Sequence, residues 1–163
     1  MTIKFRKAEI EDVTRIQKLA QEIWPLVYSE MISQDQLKYM LEWMYSLEKL
    51  ENDIFNGVHF LIVSENAQDV GFLAFEMKKN ETFLHKLYLH PQMHGKGIGK
   101  QMLMQVILAG KDNNSECIRL TVNRNNPNAE FYISQGFEVE EEKDFDIGAG
   151  YWMNDFIMKK EIK

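Results

Sequence analysis

Glycines and lysines alternate over a short stretch in the middle of the chain. Glycine lacks a Cβ atom, so its backbone can approach a ligand closely and adopt positive φ angles. An apolar helical pattern follows directly, and the first N–H groups of a helix are unpaired and lie at the positive end of its dipole. The stretch therefore predicts an anion site suited to a phosphate or a pyrophosphate. Its residues are Gly95, Lys96, Gly97, Gly99 and Lys100.

Two common phosphate-binding motifs do not fit this stretch. A P-loop that used Gly99 and Lys100 would need a glycine at position 94 and a serine or threonine at 101, where the chain has His94 and Gln101. A dinucleotide-binding fingerprint that began at Gly95 would need its third glycine at Lys100. The sequence therefore favours neither a P-loop nor a dinucleotide-binding protein.

The hydrophobic pattern around the glycine stretch predicts a mixed α/β fold, with helices on a partly antiparallel sheet. We expect Pro25, Gly57, Gly110 and Gly136 to end helices and a loop over 146–150. The predicted strands are 3–8, 58–64, 70–78, 82–89, 118–123, 137–145 and 151–162, and the predicted helices are 11–24, 34–45, 47–55, 98–109 and 127–135.

Length and composition favour one cytoplasmic domain. The chain has 163 residues, a formal net charge of −6 and one cysteine, Cys117. The negative charge argues against nonspecific nucleic-acid binding, which needs a basic face. No apolar run approaches the ~20 residues of a membrane helix, and the N-terminus has no apolar signal segment. We therefore expect a cytoplasmic protein without an intramolecular disulfide, a metal ion, or a nucleic-acid or membrane partner.

Three segments resemble the GNAT superfamily of N-acetyltransferases. His94–Gly99 reads HGKGIG and is similar to the family signature R/Q-G-x-G-I/V-G, with histidine in the first position. Phe131–Phe137 reads FYISQGF and is similar to the second family motif, a tyrosine followed by a glycine and an aromatic residue. Lys86–Pro91 looks like the bulged fourth strand of the family. The order of the predicted elements also matches over about the whole chain.

The resemblance implies a single acetyltransferase domain over residues 1–163, with a mostly antiparallel sheet of six or seven strands and helices on both faces. It implies acetyl-CoA as the cofactor and an amine as the acceptor. Backbone groups of the glycine turn would hold the pyrophosphate, while the fourth strand and two asparagines would hold the pantetheine arm. The implied cofactor-binding residues are Leu87, Tyr88, Leu89, His94, Gly95, Lys96, Gly97, Ile98, Gly99, Lys100, Asn123 and Asn125.

The resemblance also assigns Tyr132 to the family tyrosine that protonates the leaving thiolate. A phenol has an ordinary pKa of ~10 and a thiol of ~8.5, so this transfer needs a close hydrogen bond. An ammonium group of pKa ~10.4 must also lose a proton before it attacks. The family often has a glutamate for this purpose where the chain has Lys86, which in its charged form cannot accept a proton. The general base stays open among Glu76, Glu81, His85 and Asp146.

The acceptor pocket of the family lies between the first two helices and the last hairpin. Aromatic residues and an acidic chain there favour a polyamine or another small amine, as in bacterial polyamine acetyltransferases of the family. A protein or peptide amine is the competing acceptor, and an acyl-CoA-binding module without turnover is the non-enzyme alternative. The resemblance also allows a homodimer. Our candidate acceptor contacts are Trp24, Tyr28 and Tyr151, with Tyr39, Trp43, Phe145 and Trp152 as further aromatic residues of this region.

Overall fold

The computed structural model describes all residues, 1–163, and they form two compact units. The first unit contains Met1–Glu76 and Lys86–Leu103, and the second contains Met77–His85 and Met104–Lys163. The glycine turn belongs to the first unit, and the second family-like motif belongs to the second. None of the helices combines the length and apolar character that crossing a membrane requires.

Seven strands form one mixed sheet, in the order β1-β2-β3-β4-β5-β7-β6. The chain order of elements agrees with the sequence-based prediction. The strands are β1 (Ile3–Lys7), β2 (His59–Glu65), β3 (Gln68–Lys78), β4 (Glu81–Leu89), β5 (Cys117–Asn123), β6 (Glu138–Gly148) and β7 (Tyr151–Glu161). The helices are α1 (Val13–Tyr28), α2 (Gln34–Tyr45), α3 (Leu47–Phe55), α4 (Ile98–Asp112) and α5 (Asn128–Ser134).

Strand pairing confirms the predicted fold class. The pairs β1–β2, β2–β3, β5–β7 and β6–β7 are antiparallel, whereas β4–β5 is parallel. The β4–β5 register runs from Glu81 opposite Cys117 to Leu84 opposite Leu120. This register uses the first half of β4, while β5 is paired along its whole length with β7. The α/β, mostly antiparallel sheet is thus present.

Helix α1 is longer than predicted, because Pro25 lies inside it rather than ending it. Proline lacks an N–H group and typically costs about 3 kcal/mol within a helix. The helix continues nevertheless, and the Ser29 N–H donates to the Pro25 carbonyl at 3.3 Å. Trp24 and Tyr28 are both buried, and their ring centroids lie 4.7 Å apart. Burial of these two rings offsets the loss at the proline.

Gly110 was expected to end α4, but it lies inside that helix, which continues to Asp112. A Cβ atom on Gly110 would lie 3.0 Å from the Cδ1 atoms of both Ile118 and Ile162. The glycine therefore allows α4 to pack closely on β5 and the chain end. Its role is steric, and a single glycine in a helical pattern does not reveal that role by itself.

The predicted loop over 146–150 is a tight hairpin turn. Strand β6 runs to Gly148 and is paired there with Tyr151, so only two residues connect β6 and β7. Ala149 and Gly150 both have positive φ angles, 52° and 80°. Two such residues suit the right-handed twist of a hairpin. The glycines indicated this turn correctly, but not how short it is.

Candidate active site

The glycine turn has the backbone geometry that its composition predicts. Gly95 and Gly97 both have a φ angle of +78°, which is unfavourable for residues that carry a Cβ atom. A Cβ atom on either residue would meet no atom within 4 Å, so the backbone faces open space. The turn leads directly into α4 at Ile98, whose first N–H groups have no partner within the helix. These open N–H groups fit a phosphate or a pyrophosphate.

Buried apolar side chains fix both ends of this exposed turn. Met93 precedes it at the end of a single 3-10 turn, Pro91–Met93, and Ile98 follows it as the first residue of α4. Both side chains are buried, whereas residues 94–97 are exposed. The turn is therefore held at its two ends while its backbone stays accessible to a ligand.

The basic side chains of the turn differ in where they lie. His94 folds back on the strand, and its Nε2 atom lies 3.0 Å from the carbonyl oxygen of Leu89. A carbonyl oxygen only accepts, so Nε2 carries a proton and donates. The Nζ atom of Lys96 lies 3.9 Å from the Met93 sulfur, and Lys100 is exposed on α4. The two lysines can thus supply charge to an anion, while His94 fastens the turn to the end of β4.

Leu87, Tyr88 and Leu89 lie in the last part of β4, as predicted for the strand that would contact the pantetheine arm. The Tyr88 hydroxyl lies 2.9 Å from the Tyr28 hydroxyl, which connects β4 to α1. Ring contacts with Trp24 at 5.5 Å and with Phe72 at 5.7 Å hold the Tyr88 side chain in place. The Tyr88 side chain thus fixes this part of β4 against its neighbours.

Gly71 of β3 contributes to this part of the site, and the sequence reasoning did not identify it. A Cβ atom there would lie 2.5 Å from the Tyr88 carbonyl oxygen and 3.2 Å from the Leu89 Cα atom. Only glycine therefore allows β3 to come this close to the end of β4. A glycine within an alternating strand pattern is the one sequence signal that indicated such an approach.

Trp24 is a core residue. It is 1% exposed, and its ring centroid lies 4.7 Å from that of Tyr28 and 5.3 Å from that of Tyr45. Its position corrects the expectation that Trp24 offers a surface to the acceptor. Tyr28 is buried too, with its hydroxyl engaged by Tyr88. Of the three candidate acceptor contacts, only Tyr151, at the start of β7, is partly exposed.

Lys86 of β4 is enclosed by aromatic rings. The residue is 8% exposed, and its Nζ atom lies 5.3 Å from the Tyr45 ring centroid and 5.9 Å from the Phe60 ring centroid. Burial lowers the pKa of Lys86 to about 8, against the attraction of Asp53, and Lys49 lowers it further. The residue that replaces the family glutamate is therefore a core lysine that loses its charge more readily than an exposed one.

Asn123 is the last residue of β5, and Asn125 and Asn126 lie in the turn that follows it. The side-chain oxygen of Asn123 accepts from the Asn125 N–H at 2.8 Å, and that of Asn126 accepts from the Asn128 N–H at 2.9 Å. The Asn123 oxygen thus stabilises the turn, and its Nδ2 group can donate a hydrogen bond to a ligand. Asn125 is exposed and contributes its backbone to the same turn.

Tyr132 lies in α5, and 7% of the residue is exposed. Its ring contacts those of Phe131 and Phe137 with centroid distances of 5.3 Å and 5.6 Å. The Phe137 N–H donates to the Tyr132 carbonyl at 3.0 Å, and Gly136 allows this return with a φ angle of +94°. The second family-like motif is therefore a helix end that holds the tyrosine between two aromatic rings.

Two of the general-base candidates have structural roles. Glu81 forms an ion pair with Arg119, which also binds Glu140. The Asp146 carboxylate accepts from the Gly148 N–H at 2.9 Å, at the irregular end of β6. Both carboxylates are thus engaged by neighbouring groups of the chain.

Comparisons with known proteins show the family of this chain. The family model of the GNAT acetyltransferase domain matches residues 56–139, which include the glycine turn and Tyr132. A spermidine N(1)-acetyltransferase of Thermoplasma acidophilum is 32% identical and covers 100% of this chain and 99% of its own length. The crystal structure of the paiA N-acetyltransferase of Thermoplasma acidophilum, in complex with coenzyme A, has a TM-score of 0.85 at 31% identity, with 99% of both chains covered.

A second structure, a GCN5-related N-acetyltransferase of Rhodopseudomonas palustris, has a TM-score of 0.83 at 19% identity and covers 99% of this chain and 96% of its own. This likeness shows the fold. The family model and the full-length relative show the family, whose members use acetyl-CoA as the acetyl donor. The chain therefore belongs to the GNAT family and is an N-acetyltransferase.

Proposed function

We propose that this enzyme acetylates a primary amine of a polyamine such as spermidine, and that its 163 residues act as one catalytic domain. The main observation in favour of acetyl-CoA binding is the glycine turn. Its two positive-φ glycines, Gly95 and Gly97, are open to solvent directly before α4. The spermidine N(1)-acetyltransferase of Thermoplasma acidophilum, which aligns over the whole chain, supports a polyamine as the acceptor. The net charge of −6 is compatible with a cationic acceptor.

When bound, acetyl-CoA supplies a thioester whose carbonyl carbon an amine can attack. The N–H groups from Gly95 to Lys100 would bind its pyrophosphate, with charge added by the two lysines. Backbone groups of Leu87–Leu89 would bind the pantetheine arm as an added strand does, and the Asn123 Nδ2 group would donate to one of its carbonyls. A backbone N–H of Leu87 or Tyr88 would stabilise the oxyanion that forms on attack.

Tyr132 acts as the general acid in this proposal. Its phenol gives a proton to the departing thiolate and regains one from the attacking nitrogen, so the tyrosine is unchanged after each turnover. Burial between Phe131 and Phe137 supports this role, because it limits the rotamers of the side chain. Direct attack by the amine needs no acetylated enzyme intermediate.

A comparison of acceptors tests the proposal. Release of the CoA thiol is measured with spermidine, with a peptide that offers an N-terminal amine, and with a peptide that offers a lysine. We expect kcat/KM for spermidine to exceed that for either peptide by at least tenfold. A peptide preference would transfer the assignment to protein acetylation, and tight acetyl-CoA binding without turnover on any amine would indicate a binding module.

A further inference from the structure

A buried carboxylate on β7 has no part in the site described so far. Asp155 is 2% exposed and lies directly opposite Asn123 on β5 and Lys143 on β6. Asn123, the last residue of β5, is one of the residues that we assign to the cofactor arm. Asp155 is therefore a neighbour of the proposed site within the same unit of the structure.

Side-chain alternation shows which face of the sheet Asp155 occupies. Helix α4 packs on Ile118, since Gly110 approaches the Ile118 Cδ1 atom closely. Asn123 is five residues further along β5, so its side chain lies on the opposite face. Asp155, directly opposite Asn123 in the register, shares that face. The Asp155 carboxylate thus lies on the face of the sheet away from α4. Arg119 of β5, four residues before Asn123, forms its ion pairs on that same face.

Two basic residues, Arg124 and Lys143, are neighbours of Asp155. The Arg124 guanidinium attracts the carboxylate but is itself bound to Glu142 and Asp144 of β6. Lys143 is opposite in the register, and its Nζ atom lies 5.3 Å from the Phe145 ring centroid. A hydrogen bond from Thr121 favours the ionised carboxylate, as Arg124 does.

Burial is the largest of these effects, and it raises the pKa of Asp155 to about 6. A carboxyl group in this range is ionised at neutral pH, yet it holds a proton better than an exposed aspartate. That combination suits a general base, which works best when its pKa lies near the working pH.

We propose that the Asp155 carboxylate binds the ammonium group of the acceptor and takes a proton from it. The inference rests on the proposed function, because it names the base of the same reaction. It adds a candidate to those that the sequence left open for the base, Glu76, Glu81, His85 and Asp146. Lys86 is a weaker choice, because two aromatic rings cover its amino group.

Protons balance in this step. One N–H bond of the ammonium breaks, and its proton joins the Asp155 carboxylate, which later releases it to solvent. The neutral nitrogen then forms a bond to the acetyl carbon, and the carbon–sulfur bond breaks. The second proton of the nitrogen replaces the one that Tyr132 gives to the thiolate. The products are the acetylated amine, the free thiol and one proton in solution.

The pH dependence of kcat/KM separates this role from a structural one. The reactive form of the wild type has an ionised Asp155 and a bound protonated amine. We therefore expect its kcat/KM to be constant from about pH 6 to the pKa of the amine, ~10. The substitution Asp155→Asn leaves only the scarce neutral amine as a reactant. We expect kcat/KM of this variant to be at least tenfold lower than that of the wild type at pH 7. Its log kcat/KM should rise with pH at unit slope, so that the kcat/KM values of the two proteins become equal near pH 10.

Asp144→Asn is the matched control, since it removes an exposed carboxylate that shares Arg124. We expect it to keep the wild-type plateau. A plateau that persists in Asp155→Asn, with wild-type turnover intact, would overturn the role of Asp155 and leave the proposed function standing. Absence of amine turnover by the wild type would overturn both.

A measurement on the wild-type protein avoids reliance on a variant that fails to fold. The Asp155 carboxyl carbon, assigned through its backbone, is titrated by NMR with CoA present, first without and then with spermidine. No acetyl group is available, so nothing reacts. We expect spermidine to lower the pKa of Asp155 by one unit or more, because a bound cation favours the carboxylate. An unchanged titration would overturn the proposal.

Discussion

The Nε2 atom of His94 donates a hydrogen bond to the carbonyl oxygen of Leu89 over 3.0 Å. This contact joins the start of the glycine turn to the end of β4, the two segments that we assign to the pyrophosphate and the pantetheine arm. His94 stands where the family motif usually has arginine or glutamine. In this chain the residue fixes the position of the turn.

We predict that His94→Ala raises the Kd for acetyl-CoA about fivefold, because one hydrogen bond of about 1 kcal/mol no longer orders the turn. Isothermal titration calorimetry measures this change. Gln92→Ala is the matched control, since Gln92 is an exposed neighbour that precedes the turn. Equal affinities of the two variants would show that the contact with Leu89 does not order the cofactor site.

Gly97→Ala tests the anion cradle itself. A φ angle of +78° costs a residue with a Cβ about 1–2 kcal/mol, and relief of that strain would turn the N–H groups away from the ligand. We expect at least a tenfold rise in the Kd for acetyl-CoA.

Gly57→Ala is the control for backbone strain. Gly57 follows α3 with a φ angle of +98°, and a Cβ atom there also meets no atom within 4 Å. Both substitutions should lower the thermal midpoint, but only Gly97→Ala should weaken binding. Equal binding by the two variants would rule out the glycine turn as the pyrophosphate site.

Lys86→Met probes the buried lysine through the pH dependence of stability. Because its pKa falls from 10.5 to about 8 on folding, the folded state loses the proton first as the pH rises. The free energy of unfolding of the wild type should therefore rise between pH 8 and 10.5, by on the order of 3 kcal/mol. Lys86→Met lacks this contribution and should be the more stable protein at pH 7.

Urea denaturation across this pH range measures the difference between the two proteins. Lys38→Met, the same change at an exposed position of α2, should follow the wild-type curve. A constant difference between wild type and Lys86→Met from pH 7 to 10.5 would mean that the lysine is not perturbed by burial.

Tyr132→Phe should lower kcat at least tenfold and leave the Kd for acetyl-CoA unchanged. The phenyl ring keeps its packing between Phe131 and Phe137, so only the proton donor is lost. Tyr45→Phe removes a fully buried hydroxyl from the aromatic core and should keep its kcat. Steady-state thiol release compares the three proteins, and full turnover by Tyr132→Phe would remove the general acid from the proposal.

Local backbone chemistry made the glycine turn and the order of elements predictable. A positive φ angle at Gly97 is a property of that residue and its neighbours, so the sequence alone indicated it. The continuation of α1 past Pro25 was not predictable in this way, because it depends on what Trp24 packs against. Asp155 shows the same limit, since its burial comes from residues distant in sequence and no local pattern marks it.

The most direct test of the account is a paired measurement on the wild-type enzyme with acetyl-CoA and spermidine. Thiol release is followed by absorbance, and the same samples are analysed by mass spectrometry for acetylated spermidine. We predict one acetylated amine for each thiol released. Thiol release without acetylated spermidine, or no thiol release at all, would contradict the proposal that this enzyme acetylates a polyamine.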